Sequence, residues 1–206
     1  MALLSRADGL RIVGPHFAGI FDAIDDSWST YMSDYTPEQR ATHCTTTRAG
    51  IVHDIMVARA SAYFTSIPNS SVTDLSGLKL FSITSPEGQI VIRFKKFDDQ
   101  LLSRNQRTKQ VADYRGQRQM DLIGEAFHLE AGYILDKDQL KIEQISLVCP
   151  NNEGNYWDIQ LTRTTAETKV HDIFDVEHAD EKVDIVRPKP QTAITGKSSI
   201  NEGKDK

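Results

Sequence analysis

The chain has 206 residues, a formal net charge of −5 and an apolar share of 39%. That length suits one domain or a domain with appendages, and the modest apolar share leaves part of the chain outside a packed core. With cysteine at Cys44 and Cys149 alone, a disulfide-stapled secreted framework is not expected. No apolar run approaches the roughly 18 residues that a membrane span needs. The start, Met1-Ala2-Leu3-Leu4-Ser5-Arg6, carries neither a signal-type apolar region nor the glycine of a myristoylation site, so a cytoplasmic setting is expected.

Between Pro15 and Met32 the apolar residues Phe17, Ile20, Phe21, Ile24, Trp28, Tyr31 and Met32 recur at three- and four-residue spacing. Side chains at that period share one helix face, which needs a partner. A second helix is expected to open at Thr36, where Pro37 fits the first helical position and Gln39 completes a capping box. Its pattern runs to about Phe64, with Cys44, Ile51, Val52, Ile55, Ala58 and Ala62 expected inward. Gly50 and the run Thr45-Thr46-Thr47 weaken the helix near residues 45–50. Residues 1–70 thus read as a helical pair.

Residues 71–164 read as an antiparallel sheet of about five strands with one inserted helix. Residues 78–84 and 89–97 flank the turn Ser85-Pro86-Glu87-Gly88. Residues 126–136 alternate, with Phe127, Leu129, Ala131, Tyr133 and Leu135 on one face. Residues 140–149 are rich in Ile, Leu and Val, and residues 156–163 set Trp157, Ile159 and Leu161 inward. Residues 104–124 are polar and read as partly helical. From 165 to 206 the chain turns acidic, passes Arg187-Pro188-Lys189-Pro190 and ends in polar residues. Such a segment lacks the apolar surface that offsets ordering, so it reads as a disordered tail. The fold class expected is α+β, with the helical pair packed on the sheet.

Charge is unevenly placed. Residues 93–118 hold Arg93, Lys95, Lys96, Arg104, Arg107, Lys109, Arg115 and Arg118 against three aspartates, interleaved with Asn105 and several glutamines. Cationic side chains with amides among them suit phosphates and base edges, or an acidic protein partner. Two weaker candidates for acid–base chemistry are His53 with Asp54 and His128 with Glu130. The latter pair are two apart on an expected strand and share a face. If Asp136-Lys137-Asp138-Gln139 closes a hairpin, His128 falls opposite Leu147 and Glu130 opposite Ile145. Neither a metal site nor a cofactor is expected: His43, Cys44 and His53 do not converge, and the phosphate-loop, dinucleotide, nucleophile-elbow and zinc-peptidase motifs are absent.

Several segments together resemble one bacterial family: residues 48–57 (RAGIVHDIMV), residues 92–98 (IRFKKFD), Ser103-Arg104-Asn105 with Thr108-Lys109-Gln110, residues 129–136 (LEAGYILD) and Val148-Cys149-Pro150-Asn151. They span roughly residues 48–163. The family is encoded beside an Xre-type helix-turn-helix protein fused to an ImmA/IrrE-type zinc peptidase, an arrangement similar to the Rosmer toxin–antitoxin system of phage defence. The resemblance implies a toxin-like effector regulated by an antitoxin-like partner with helix-turn-helix and zinc-peptidase domains. The residues themselves leave open a nucleic-acid-binding regulator, or a metal-dependent nuclease or nucleotide-processing enzyme.

Overall fold

The computed structural model describes residues 4–75, 77–103, 108–119, 125–152 and 154–163. The expected tail beyond residue 164 lies outside the described residues, as do Arg104, Asn105 and Arg107. Helix α1 (Arg6–Val13) is capped by Ser5, whose side chain accepts from the Asp8 N–H. A 3₁₀ turn (Gly14–His16) with Pro15 at its start leads into α2 (Phe17–Asp34). Helix α3 (Pro37–Thr42) has the expected capping box, with Thr36 and Gln39 satisfying each other's backbone N–H.

The second expected helix is interrupted. His43 and Cys44 are extended, and α4 (Thr45–Ser66) starts afresh, with the Cys44 side chain accepting from the Thr47 N–H. The break falls just ahead of the three threonines, whose branched side chains are best tolerated at a helix start. Cys44 is exposed at the cap rather than inward. The inward stripe is Val52, Met56, Ala60 and Phe64, so Ala58 and Ala62 face out and Ile51 and Ile55 are only partly covered. A strict four-residue period is what lays α4 along the sheet, and it ends with Phe64 against Phe81, ring centroids 5.2 Å apart. Helices α2 and α4 cross closely at Gly19, where any Cβ would collide with the Tyr63 ring.

The fold is α+β. Among the described residues the sheet has six strands, not five, in the order β1 (Ser70–Leu75), β2 (Leu78–Ser85), β3 (Gly88–Lys96), β4 (Ala126–Leu135), β5 (Ile142–Asn151) and β6 (Gly154–Leu161). The strand missed is the edge strand β1, whose small polar residues carry no apolar alternation. Nor is the sheet wholly antiparallel. β3 and β4 pair in parallel, Arg93 beside Glu130 and Val91 beside His128. The sheet is therefore two antiparallel meanders joined at one parallel seam. A parallel pair needs a crossover, and residues 97–125 provide it, with α5 (Lys109–Arg115) within them.

The β4–β5 hairpin is shifted from the expected register. Glu130 faces Val148 and Tyr133 faces Ile145. The cause is a longer turn: the Asp136 N–H donates to the Lys141 carbonyl at 3.0 Å, and its Oδ1 accepts from the N–H groups of Leu140 and Lys141.

Strand geometry gives the sheet two faces. Phe81, Ile83, Ile90, Ile92, Phe94, Leu129, Ala131, Tyr133, Leu135, Ile145, Leu147, Ile159 and Leu161 belong to one apolar core with the buried residues of α1, α2 and α4. The other face presents Leu80, Val91, Arg93, Ala126, His128, Glu130 and Val148. Tyr114 of α5 packs against Leu80, Val91 and Ala126.

Candidate functional site

The second face holds a buried polar cluster built by β3, β4 and α5. Thr108 caps α5, its side chain accepting from the Val111 N–H. The helix lasts seven residues and then Gln117 takes a left-handed conformation, φ +54°. Tyr114 and Arg115 at its end, and Gln117 just beyond it, fix it to the sheet.

Tyr114 is fully buried, its hydroxyl 2.9 Å from the Val91 carbonyl and 2.5 Å from the Leu129 carbonyl, one on each side of the parallel seam. Its ring carries the Arg93 guanidinium at 4.6 Å and stacks on His128 at 4.5 Å with planes 11° apart. Burial raises the Tyr114 hydroxyl well above its ordinary value. Arg115 donates to Oε2 of Glu130 at 2.8 Å, to the Asn152 carbonyl at 2.7 Å, to the Gly154 carbonyl at 3.0 Å and to Oγ of Ser103 at 3.2 Å. Gln117 pairs with the backbone of His128 as a strand residue would. It accepts from the His128 N–H at 2.8 Å and donates to its carbonyl at 2.7 Å, with a further contact to the Pro150 carbonyl at 3.1 Å. Registered β4–β5 pairing starts only at Glu130, so this side chain fills the ladder where the strands separate.

The expected acid–base pairs come to rest in different places. His128 and Glu130 share a face, as their spacing implied, and both are fully buried. Nδ1 of His128 lies 3.0 Å from the Tyr114 carbonyl, which can only accept, so Nδ1 carries the proton. Burial, then Arg93, depresses the His128 pKa, against the pull of that hydrogen bond. Oε2 of Glu130 accepts from Ser103 and Arg115, each at 2.8 Å. His53 and Asp54 sit on α4, on the opposite side of the sheet, and Asp54 is exposed. The pKa of His53 is depressed by burial and by Lys95. Arg48 and Arg59 are engaged elsewhere, Arg48 with Gln139 and Arg59 with Thr30 and Asp26.

Part of the basic segment is drawn inward. Arg93 keeps 2% exposure and Arg115 8%. Lys95 is half-buried, and its ammonium is pushed down to about 8 by burial and then by Arg93, with Glu130 opposing. Lys96 is partly covered, whereas Lys109 and Arg118 are exposed. Among the described residues no three or more His, Cys, Asp or Glu side chains converge as a metal site.

Tyr114, Gln117 and Ser103 were not among the sequence candidates. A tyrosine in an otherwise polar stretch was the available signal for α5. Also unforeseen is the end of the molecule around the β4–β5 hairpin. A cleft of about 860 Å³ runs there between the start of α4 and the ends of β3 and β4, lined by Thr45, Thr46, Ala49, residues 96–99, residues 134–137, Gln139, Glu143 and Gln144. Its ionisable residues are Asp98, Asp99, Asp136 and Glu143 against Lys96 and Lys137. On the other side of the hairpin a pocket of about 260 Å³ is walled by Trp28, Tyr31, Met32, Arg40 and Arg48. Leu140, 63% exposed, stands at its edge.

No family model, curated protein or solved structure matches this chain. No helix among the described residues is long and apolar enough to cross a membrane.

Proposed function

We propose that the chain is the toxin-like effector of a bacterial toxin–antitoxin or phage-defence module, acting in the cytoplasm, and that its partner is an antitoxin-type protein with helix-turn-helix and zinc-peptidase domains. The cleft at the hairpin end carries this reading. Half of its lining, namely Ala49, residues 96–98 and residues 134–136, comes from the segments that bear the family resemblance. The cleft is net acidic, which opposes a phosphate backbone and complements the basic surface of a DNA-binding domain. A partner held there would have its DNA-facing charge masked. The nucleic-acid reading draws less from the fold, because Arg93 and Arg115 are turned into the interior.

The test is co-expression with the neighbouring helix-turn-helix protein. Expected outcomes are a complex that survives gel filtration, relief of growth inhibition, and an affinity at least tenfold weaker for Asp99→Lys with Glu143→Lys, both at exposed positions. Failure of the wild-type chain to form the complex and to be relieved by it sinks the reading.

A further inference from the structure

Across the β4–β5 hairpin from the acidic cleft lies the pocket of about 260 Å³ between α2, α3 and the hairpin turn. A cavity of about 150 Å³ is enough for benzene. One ring with a short side arm therefore has room there.

The walls offer hydrocarbon, because their polar ends are already in use. Nε1 of Trp28 donates to the Leu140 carbonyl at 3.3 Å, and the Tyr31 hydroxyl lies 3.0 Å from Nδ1 of His43. Their rings stand 5.6 Å apart, tilted by 37°. Met32 and Ala41 add apolar lining.

Charge enters the lining through two half-buried arginines. Nη1 of Arg40 donates to the carbonyls of Met32 and Tyr35, and Nη1 of Arg48 donates to the carbonyl and Oε1 of Gln139. All four acceptors are neutral, and Nη2 of each guanidinium takes no part in these bonds. Asp138, the acid of the lining, is exposed at the hairpin tip. The pocket thus joins an apolar body to a cationic end, the composition of a site for a small organic anion.

We propose that this pocket binds a small aromatic monocarboxylate, its ring among Trp28, Tyr31 and Met32 and its carboxylate on the Arg40 and Arg48 guanidiniums. Aromatic walls favour a ring in offset or edge contact. A planar carboxylate matches the edge of a guanidinium. Two guanidiniums against Asp138 leave the lining one positive charge, which suits a monoanion. A phosphate monoester would bring about −1.5 to −2. The site is separate from the acidic cleft and requires no protein partner.

An NMR titration of the full chain at pH 7 tests this, with phenylacetate, phenylacetamide and acetate as probes. The readout is the indole N–H signal of Trp28, with that of Trp157, which donates to the Leu4 carbonyl, as the control. Phenylacetate should move the Trp28 signal saturably and leave the Trp157 signal in place. Phenylacetamide, the same shape without the charge, should bind at least tenfold more weakly, and acetate should not register. Arg48→Met should bring phenylacetate down to the affinity of the amide. Ala41→Phe, at an exposed position of the lining, should fill the pocket and abolish the shift. A Trp28 signal that phenylacetate leaves unmoved, that moves only together with Trp157, or that phenylacetamide shifts with equal affinity overturns the proposal. This comparison in the wild-type chain decides even if a variant does not fold.

Discussion

The two faces of the sheet are closed by different means. Under α2 and α4 the contacts are apolar, as where Phe81 meets Phe64 and Phe94 at 5.2 and 5.1 Å. Under α5 the contacts are directional: one tyrosine hydroxyl, one arginine fork and one glutamine amide hold a seven-residue helix. Apolar packing loses stability roughly in proportion to what is removed. A buried polar network punishes removal of one partner more than removal of both, because the survivor is left desolvated and unpaired.

That contrast can be broken by measurement. Phe81→Ala should cost the most, about 3–5 kcal/mol in urea unfolding, since a fully buried ring leaves a cavity. Glu130→Ala should cost about 3 kcal/mol, because Arg115 and Arg93 remain buried beside it. Adding Arg115→Met should then cost less than it does alone, with a coupling of about 1 kcal/mol or more. Strict additivity of the two changes would mean that the polar face is not a network.

The smallest effect is expected at Lys95. Burial depresses its pKa from 10.5 to about 8 in the folded chain. Between those values the unfolded chain binds more protons than the folded one, so stability rises as pH rises through that window. Lys95→Met should remove the rise and make the chain more stable at pH 7. Unfolding midpoints at pH 7 and 10 check both signs.

Legibility in the sequence follows the same division. Periods of two and 3.6 residues record which side chains face a core, so α2 and the inward set from Phe127 to Leu135 could be read directly. The capping box at Thr36 and Gln39 and the turn at Pro86-Glu87 are local chemistry and were equally plain. Strand alternation looks alike in parallel and antiparallel pairs, which hid the β3–β4 seam. β1 has too little apolar content to register, and the hairpin register depended on how Asp136 folds its own turn. The inward course of Arg93 and Arg115 was illegible for another reason. An arginine is buried only where distant residues receive it, here Tyr114 beneath one and Glu130 beside the other. Two arginines of a basic stretch that looked like a surface in one dimension belong to the interior in three.

The seam also sets an order of assembly. Strands β1, β2 and β3 are neighbours in sequence, as are β4, β5 and β6, so each half can pair by short turns alone. Joining the halves requires closure across residues 97–125, and closure entropy must be met before the contacts it allows are gained. The first half-sheet, with its four helices, is complete in sequence before the first residue of β4 is synthesised. Tyr114 arrives between the two halves, and its hydroxyl reaches a carbonyl from each. It is a stitch placed in the chain where the second piece of cloth has yet to be woven.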